Sequence, residues 1–420
     1  MATVYWKGGA APVAQVDSVL VGGTIEAGDL FTITIGDKTL SVAAPDTSAA
    51  NTATAIAAAW NALDSGDWPE FAEITAAGDA TFLMLTADEP GVPFTVAVAT
   101  TEANGAAADA QTFVRSADTA CSGPNHWDTA ANWSGGALPA NTNDVVIENS
   151  DVDILYGLDQ SALTFASLAV KQSYSGKIGL PRRNAGGYFE YRDQSLKCGA
   201  TLVNIGDGDG QGSGRIKINT GTVAATITVF NAGTPTEYND GIPAVLLQGS
   251  HAANALVVIK GDVGSAFFAA ETAQYASIKT AYKDSPAGDV KLRCGSGVTH
   301  GTITQAGGVV EINSNATTVS QTEETATLWL KGAAAVTTLT AEGLVKSHST
   351  GTIGTATIRG VFDKRGTMTA QTITNLTVTA GAEYHDPASL MTLTNGMILS
   401  QARPEEITLD IAAGKTLTIA

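Results

Sequence analysis

The residues best suited to chemistry are carboxylates, and three pairs of them lie close along the chain: Asp151 with Asp153, Glu323 with Glu324, and Glu405 with Glu406. Glycoside hydrolysis needs two carboxyls about 5 to 10 Å apart across a cleft, one to protonate the leaving oxygen and one to attack or to activate water. Asp151 and Asp153, two apart on a strand, would share a face about 7 Å apart. Geometry therefore permits the pair, although such spacings arise by chance in any acidic chain. A second candidate is Lys291, Arg293 and Glu311, which could come together on adjacent coils, as the Asp, Lys and Arg of polysaccharide lyases built on β-helices do.

Other motifs weigh against specific chemistries. The run from Asp207 to Gly214 alternates Asp and Gly, and Asp207 and Asp209 could offer oxygens to Ca²⁺. It lacks the later Glu of a helix-loop-helix calcium loop and the nonapeptide repeat of a calcium β-roll, so a solvated turn is the expectation. The five histidines, His126, His251, His300, His348 and His385, are scattered without metal-ligand spacing and read as surface or loop residues. No serine sits in a Gly-x-Ser-x-Gly elbow. Cys121, Cys198 and Cys294 are odd in number and widely spaced, which is no disulfide framework and suits a reducing cytosol. Arg182 and Arg183 are a local basic spot suited to an acidic partner, or a solvated loop. Trp127 and Trp133, six residues apart among turn formers, could stack on a sugar ring or plug the open end of a stacked structure.

The elements that must position these residues follow from composition and period. The 420 residues carry 41 acids against 23 bases, a net charge of −18, which disfavours nucleic acid and anionic membrane surfaces. Apolar residues reach 44%, enough for a core, while charged residues reach only 15% against roughly 25% in ordinary domains. Gly, Ala and Thr fill the difference and suit tightly stacked strands. The segment from Met1 to Lys7 lacks a charged head before an apolar core, so no secretory signal is expected, and no apolar run is long enough to span a membrane.

Between Asp289 and Ala380, short β-rich runs begin at Val290, Val309, Thr327 and Leu344, a nearly even spacing just short of twenty. Threonine-rich runs fall between them, at 301–304, 316–319, 336–339 and 354–358. A strand period near twenty predicts a β-solenoid, because one such coil cannot bury its apolar face alone. The expected fold is mainly β: a small N-terminal α+β docking domain over 1–115, a Trp-rich connector or cap over 116–143, and a β-solenoid over 144–420. An irregular outward insertion is expected near 238–287, with a short helix from Ser265 to Lys279. In the first domain, a hairpin spans Leu30 to Val42, a helix runs to about Leu63 with Ala53, Ile56, Ala57, Trp60 and Leu63 on one face, and strands cover Thr81–Thr86 and Phe94–Ala99. Val152–Leu155 and Tyr188–Arg192 read as solenoid strands, and Lys415–Ala420 as a terminal one with an open edge.

Several phrases resemble a family of uncharacterised structural proteins of tailed bacteriophages and prophages: Trp68, Pro69, Glu70, Phe71 with Glu73 to Ala76; Gly123 to Gly136 with its two Trp; Leu155 to Ser161; and Gly176 to Pro181. The resemblance covers roughly residues 1–195. It implies a virion component, a capsid decoration protein foremost, assembled in the host cytoplasm as a homo-oligomer, a trimer being common in such assemblies. Its partners would be capsid or tail proteins, with no nucleic acid and no membrane. It transfers no catalytic residue and no cofactor. The alternatives are a receptor-binding fibre or glycan-holding adhesin and, behind these, a polysaccharide-cleaving spike.

Overall fold

Strands in the larger part of the protein pair in parallel with the strand one coil before and the strand one coil after, as Val309–Ile312 does with Val290–Cys294 and Thr327–Leu330. In the computed structural model, which describes residues 2–103, 110–208, 214–233, 241–281, 290–400 and 408–411, the chain is 50% strand and 6% helix. One ladder stacks Ile216–Asn219, Val245–Gln248, Gly261–Ser265, Val290–Cys294, Val309–Ile312, Thr327–Leu330, Leu344–Ser347, Val361–Asp363, Glu383–Asp386 and Thr408–Ile411. A second runs from Asp144–Ile147 through Asp159–Lys171, Leu196–Asp207, Thr226–Val229 and their successors to Met397–Ser400. Parallel pairing that skips one strand at a time winds the chain into coils, where a barrel would join neighbours. The long parallel sheet is consistent with a β-helix.

The inward rows explain why the coils stack. Leu292, Val310, Leu328, Val345, Phe362 and Tyr384 lie opposite one another in successive coils, all 2% exposed or less. Phe362 and Tyr384 stack with centroids 5.5 Å apart. A facing row of Ile278, Ile303, Val319, Leu339, Ala356 and Leu376 closes the interior. Burying each Val, Leu, Ile or Phe of these rows stabilises by about 1.5 to 3 kcal/mol. Threonines lie between these inward rows and solvent: Thr302, Thr318, Thr338 and Thr355 form one row. The close stacking also restricts the corners. A Cβ on Gly343 would sit 2.2 Å from the Ala326 carbonyl oxygen of the coil before it.

The register refines the repeat. Lys291, not Val290, lies opposite Val309, so the coils from Lys291 to Val309, from Val309 to Thr327 and from Thr327 to Leu344 are more even in length than the β-rich runs suggest. The described part of the 238–287 region is less irregular than its sequence suggests. Val245–Gln248, Ala255–Val258 and Gly261–Ser265 sit in register on the ladders, while 238–240 and 282–287 lie outside the described residues. The helix expected over Ser265–Lys279 is instead the end of one strand and most of another, Ala273–Thr280. Its alanines favour a helix locally, but Ala273, Tyr275, Ile278 and Thr280 fit the inward row of the next coil, and stacking overrides propensity. Val152–Leu155 contributes only a bridge between Ile154 and Ile178, and Tyr188–Arg192 leaves the coil in a hairpin loop. The terminal strand expected at Lys415–Ala420 lies outside the described residues.

The α+β unit has its own core. Two antiparallel sheets form it, one of Ile74–Asp79, Phe82–Ala87, Val16–Gly23 and Gln111–Thr119, the other of Lys38–Ala43, Leu30–Ile35 and Ala97–Thr101. Its helix, Ala49–Asn61, begins where the Ser48 hydroxyl accepts from the Asn51 N–H, and it buries Thr52, Ala53, Ile56, Ala57 and Trp60. Residue 1 of the chain is not where this unit starts. Thr3–Tyr5 pairs in parallel with Asp144–Val146, and Val4 and Trp6 belong to the solenoid core, so the unit is inserted into the first coil.

Candidate functional site

Three places bring chemically capable side chains together. The first is the cap. Trp127 and Trp133 are 0% and 1% exposed, Trp133 meets Trp6 edge-on at 5.1 Å, and Trp127 lies 6.1 Å from Phe165. Neither ring offers a face to a sugar; both are consumed in closing the first coil, whose apolar cross-section would otherwise meet water. His126 beside them is also buried. Burial opposes its charge, but Asp128 at 3.4 Å, Cys121 and the Gly91 carbonyl outweigh that and raise its pKa to about 9.

The second place joins the inserted unit to the coils. Arg192, its side chain 7% exposed, pairs at 2.7 Å with Glu190, whose side chain is fully buried. The same guanidinium donates to the Pro93 carbonyl at 3.0 Å and to the Tyr188 hydroxyl at 2.6 Å, and lies 3.7 Å from Glu73. Tyr188 in turn donates to Glu73 at 2.8 Å. Glu73 and Pro93 belong to the inserted unit, whereas 188–192 belong to the solenoid loop. Burial raises the Glu73 pKa, with Tyr188 and Arg192 pulling it back. Beside this node, a cleft of about 560 Å³ lies between Thr34, Gly36 and Thr95 on one side and Tyr156, Asp159 and Tyr191 on the other.

The third place holds the basic spot. At Gly179 (φ +99), where a Cβ would sit 2.3 Å from the Gln194 carbonyl oxygen, the chain adopts a left-handed conformation that glycine tolerates as it leaves the coil. It then forms a hairpin in which Arg183 and Phe189 are bridged, with the Asn184 N–H donating to the Tyr188 carbonyl at 2.9 Å. The hairpin covers Arg215 and Lys217, which are 6% and 5% exposed. Lys217 donates to the Leu180 carbonyl, and Arg215 to the Pro243 carbonyl at 3.3 Å. The result is a pocket of about 660 Å³. Arg183 lies 4.4 Å over the ring of Phe189, and Arg182 5.0 Å over that of Phe268.

The remaining candidates are dispersed. Asp151 and Asp153 are not on a strand, and Asp153 accepts from the Lys177 N–H at 2.8 Å and faces its ammonium at 3.8 Å. Lys291 does approach Glu311, at 3.8 Å, but on the outer surface of the ladder, where Lys331 takes the same carboxylate at 2.7 Å and Arg293 pairs with Asp262. Asp207 is paired with Lys171 at 2.9 Å, while Asp209, Glu405 and Glu406 lie outside the described residues. Among the described residues no group of three or more metal ligands gathers. His126, His300 and His385 are buried, contrary to their expected surface placement. Among the described residues neither ring nitrogen of His300 has a hydrogen-bond partner, and burial lowers its pKa to about 4.

The Arg192 node and the contribution of Arg215 and Lys217 escaped the sequence reading. A usable signal existed for the latter: two bases two residues apart share a strand face, in a chain poor in bases. Comparison with protein-family models, with curated proteins and with solved structures finds no significant match to this chain.

Proposed function

We propose that this protein is a structural component of a tailed-bacteriophage virion, a decoration protein that binds and braces the capsid surface and does no catalysis. The observation that carries this is the pair of stacked parallel ladders, one ending at Met397–Ser400 and the other at Thr408–Ile411, which give a stiff body whose interior is filled by side chains. Rigidity of this kind suits a brace, and the phage-like phrases in residues 1–195 favour the same setting. The inserted unit docks on capsid or tail proteins while the coils brace neighbouring copies, as a homo-oligomer, with a trimer as the arrangement favoured by resemblance. The role needs no cofactor, nucleic acid or membrane.

Quantification against the major capsid protein in purified particles tests this. Hundreds of copies per particle are expected; tens or fewer would indicate a receptor-binding fibre, and absence from the particle would overturn the virion role. A polysaccharide-cleaving spike is the remaining alternative. Reducing ends released from host surface polysaccharide, and lost in Asp151→Asn or Lys291→Ala, would replace the non-enzymatic role with that one.

A further inference from the structure

We propose that the pocket under the 181–189 hairpin binds a carboxylated sugar residue, a uronate or sialate unit of an acidic glycan. The proposal holds whether or not the protein sits on a virion.

Charge is the first ground. Acids outnumber bases 41 to 23 along the chain, yet Arg182, Arg183, Arg215 and Lys217 line this one pocket, and none of its described lining residues is acidic. Arg215 and Lys217 have further partners, so the charge open to a ligand is that of the adjacent Arg182 and Arg183, whose mutual repulsion an anion relieves. Arg182 and Arg183 form no ion pair among the described residues, and the weak bond from Arg183 to the Gly187 carbonyl is 3.4 Å long. Glu271, which the charges of Lys217 and Arg182 reach, does not line the pocket and is already held by the Phe268 N–H at 3.1 Å and Gln248 at 2.8 Å.

Shape is the second. A volume of about 660 Å³ suits a ligand of one or two sugar rings. Arg183 and Arg182 lie over the rings of Phe189 and Phe268, and a guanidinium has N–H groups enough to grip a carboxylate with two parallel bonds. Pro181, Ile242 and the Phe189 ring, which is 57% exposed, supply apolar surface for the C–H face of a pyranose.

The same features disfavour other anions. The net charge of −18 repels a densely charged phosphate polymer but opposes a single carboxylate far less. An acidic peptide that binds by adding itself as a strand needs an unpaired strand edge. Here the hairpin spends its own backbone, with the Glu190 N–H on the Arg182 carbonyl at 3.0 Å and the Asn184 N–H on the Tyr188 carbonyl.

The test is calorimetric titration of the full chain with trigalacturonate, with sialyllactose, with the methyl ester of trigalacturonate and with hexaglutamate. At least one acidic sugar should bind, and the one that does identifies the source of the carboxylate. Arg183→Ala, which removes a charge-assisted contact, and Phe189→Ala, which removes apolar surface, should each weaken it at least about tenfold. These side chains are exposed, so the melting temperature should not change, and Arg183→Lys, which keeps the charge and loses the fork, should also bind more weakly than the parent. The proposal is overturned if neither acidic sugar binds, if the variants bind as the parent does, if an esterified trimer binds as well as a binding acid form, or if hexaglutamate binds more tightly than either sugar.

Discussion

Trp133 donates its indole N–H to the carbonyl oxygen of Trp127 across 2.7 Å, and the two rings meet edge-on with centroids 4.6 Å apart. Among the described residues, the indole N–H of Trp127 has no hydrogen-bond partner. The two residues therefore differ in what a conservative change removes. Trp133→Phe loses a satisfied buried hydrogen bond and strands a carbonyl, whereas Trp127→Phe removes an orphaned donor. Trp133→Phe is expected to be the more destabilising by about 1 to 2 kcal/mol, measured by urea unfolding followed by fluorescence. Trp133→Ala, which opens a cavity at the end of the coils, should cost about 3 to 5 kcal/mol.

Arg192 is the polar bolt between the inserted unit and the coils. Arg192→Met leaves the fully buried Glu190 carboxylate without its cation, a loss of about 3 to 5 kcal/mol. The double change with Glu190→Gln should recover a large part of that loss, because no charge is then left buried. Thermal melts of the two variants check this, and limited proteolysis between the two cores should quicken in the single variant first.

His300 predicts an acid sensitivity. Its pKa is depressed from 6.5 to about 4 by burial, so the folded protein holds it neutral where the unfolded chain takes up a proton. The stability it permits is complete above pH 6.5 and falls as the pH drops toward 4, by up to about 3 kcal/mol. His126 runs the other way. Its pKa is raised to about 9, so its contribution is complete below pH 6.5 and is lost as the pH rises through 9. In stability measured across pH, His300→Leu should flatten the acid limb and His126→Gln the alkaline limb; equal limbs in parent and variant would refute either assignment.

Gly343→Ala tests the closeness of the coils. The new methyl would meet the Ala326 carbonyl oxygen at 2.2 Å, which demands a backbone shift, and a loss of at least about 2 kcal/mol is expected. Gly9→Ala, whose nearest contact would be 3.9 Å away, serves as the control and should melt close to the parent.

The coils were legible in the sequence because stacking imposes one requirement on every turn: an apolar residue at the same place in each strand. Leu292, Val310, Leu328 and Val345 announce themselves at that spacing. Where coils lengthen, as from Ile216 to Val245, the period disappears although the strands keep their register, and a local alanine preference then suggests a helix over Ser265–Lys279 where stacking instead makes the strand Ala273–Thr280. The pocket was only half legible. Arg182 and Arg183 stand out in an acidic chain, but Phe189, Arg215 and Phe268 are brought to them by the hairpin and by coils far along the chain, a relationship no local pattern carries. Tyr188–Arg192 alternates as a strand does, and the tertiary bond network of Arg192, not its own spacing, decides its conformation.

Thr3–Tyr5 finds its partner at Asp144–Val146, so the first coil encloses the whole inserted unit between its strands. Closing a loose loop of that length costs about 4 kcal/mol of chain entropy, and most of that disappears if the intervening segment has already condensed into a compact body with neighbouring ends. Assembly is thereby given an order: the small unit first, then the ring that traps it, then one coil upon another, each templated by the last. A body threaded through its foundation ring by two strands of chain also has no single hinge about which to swing.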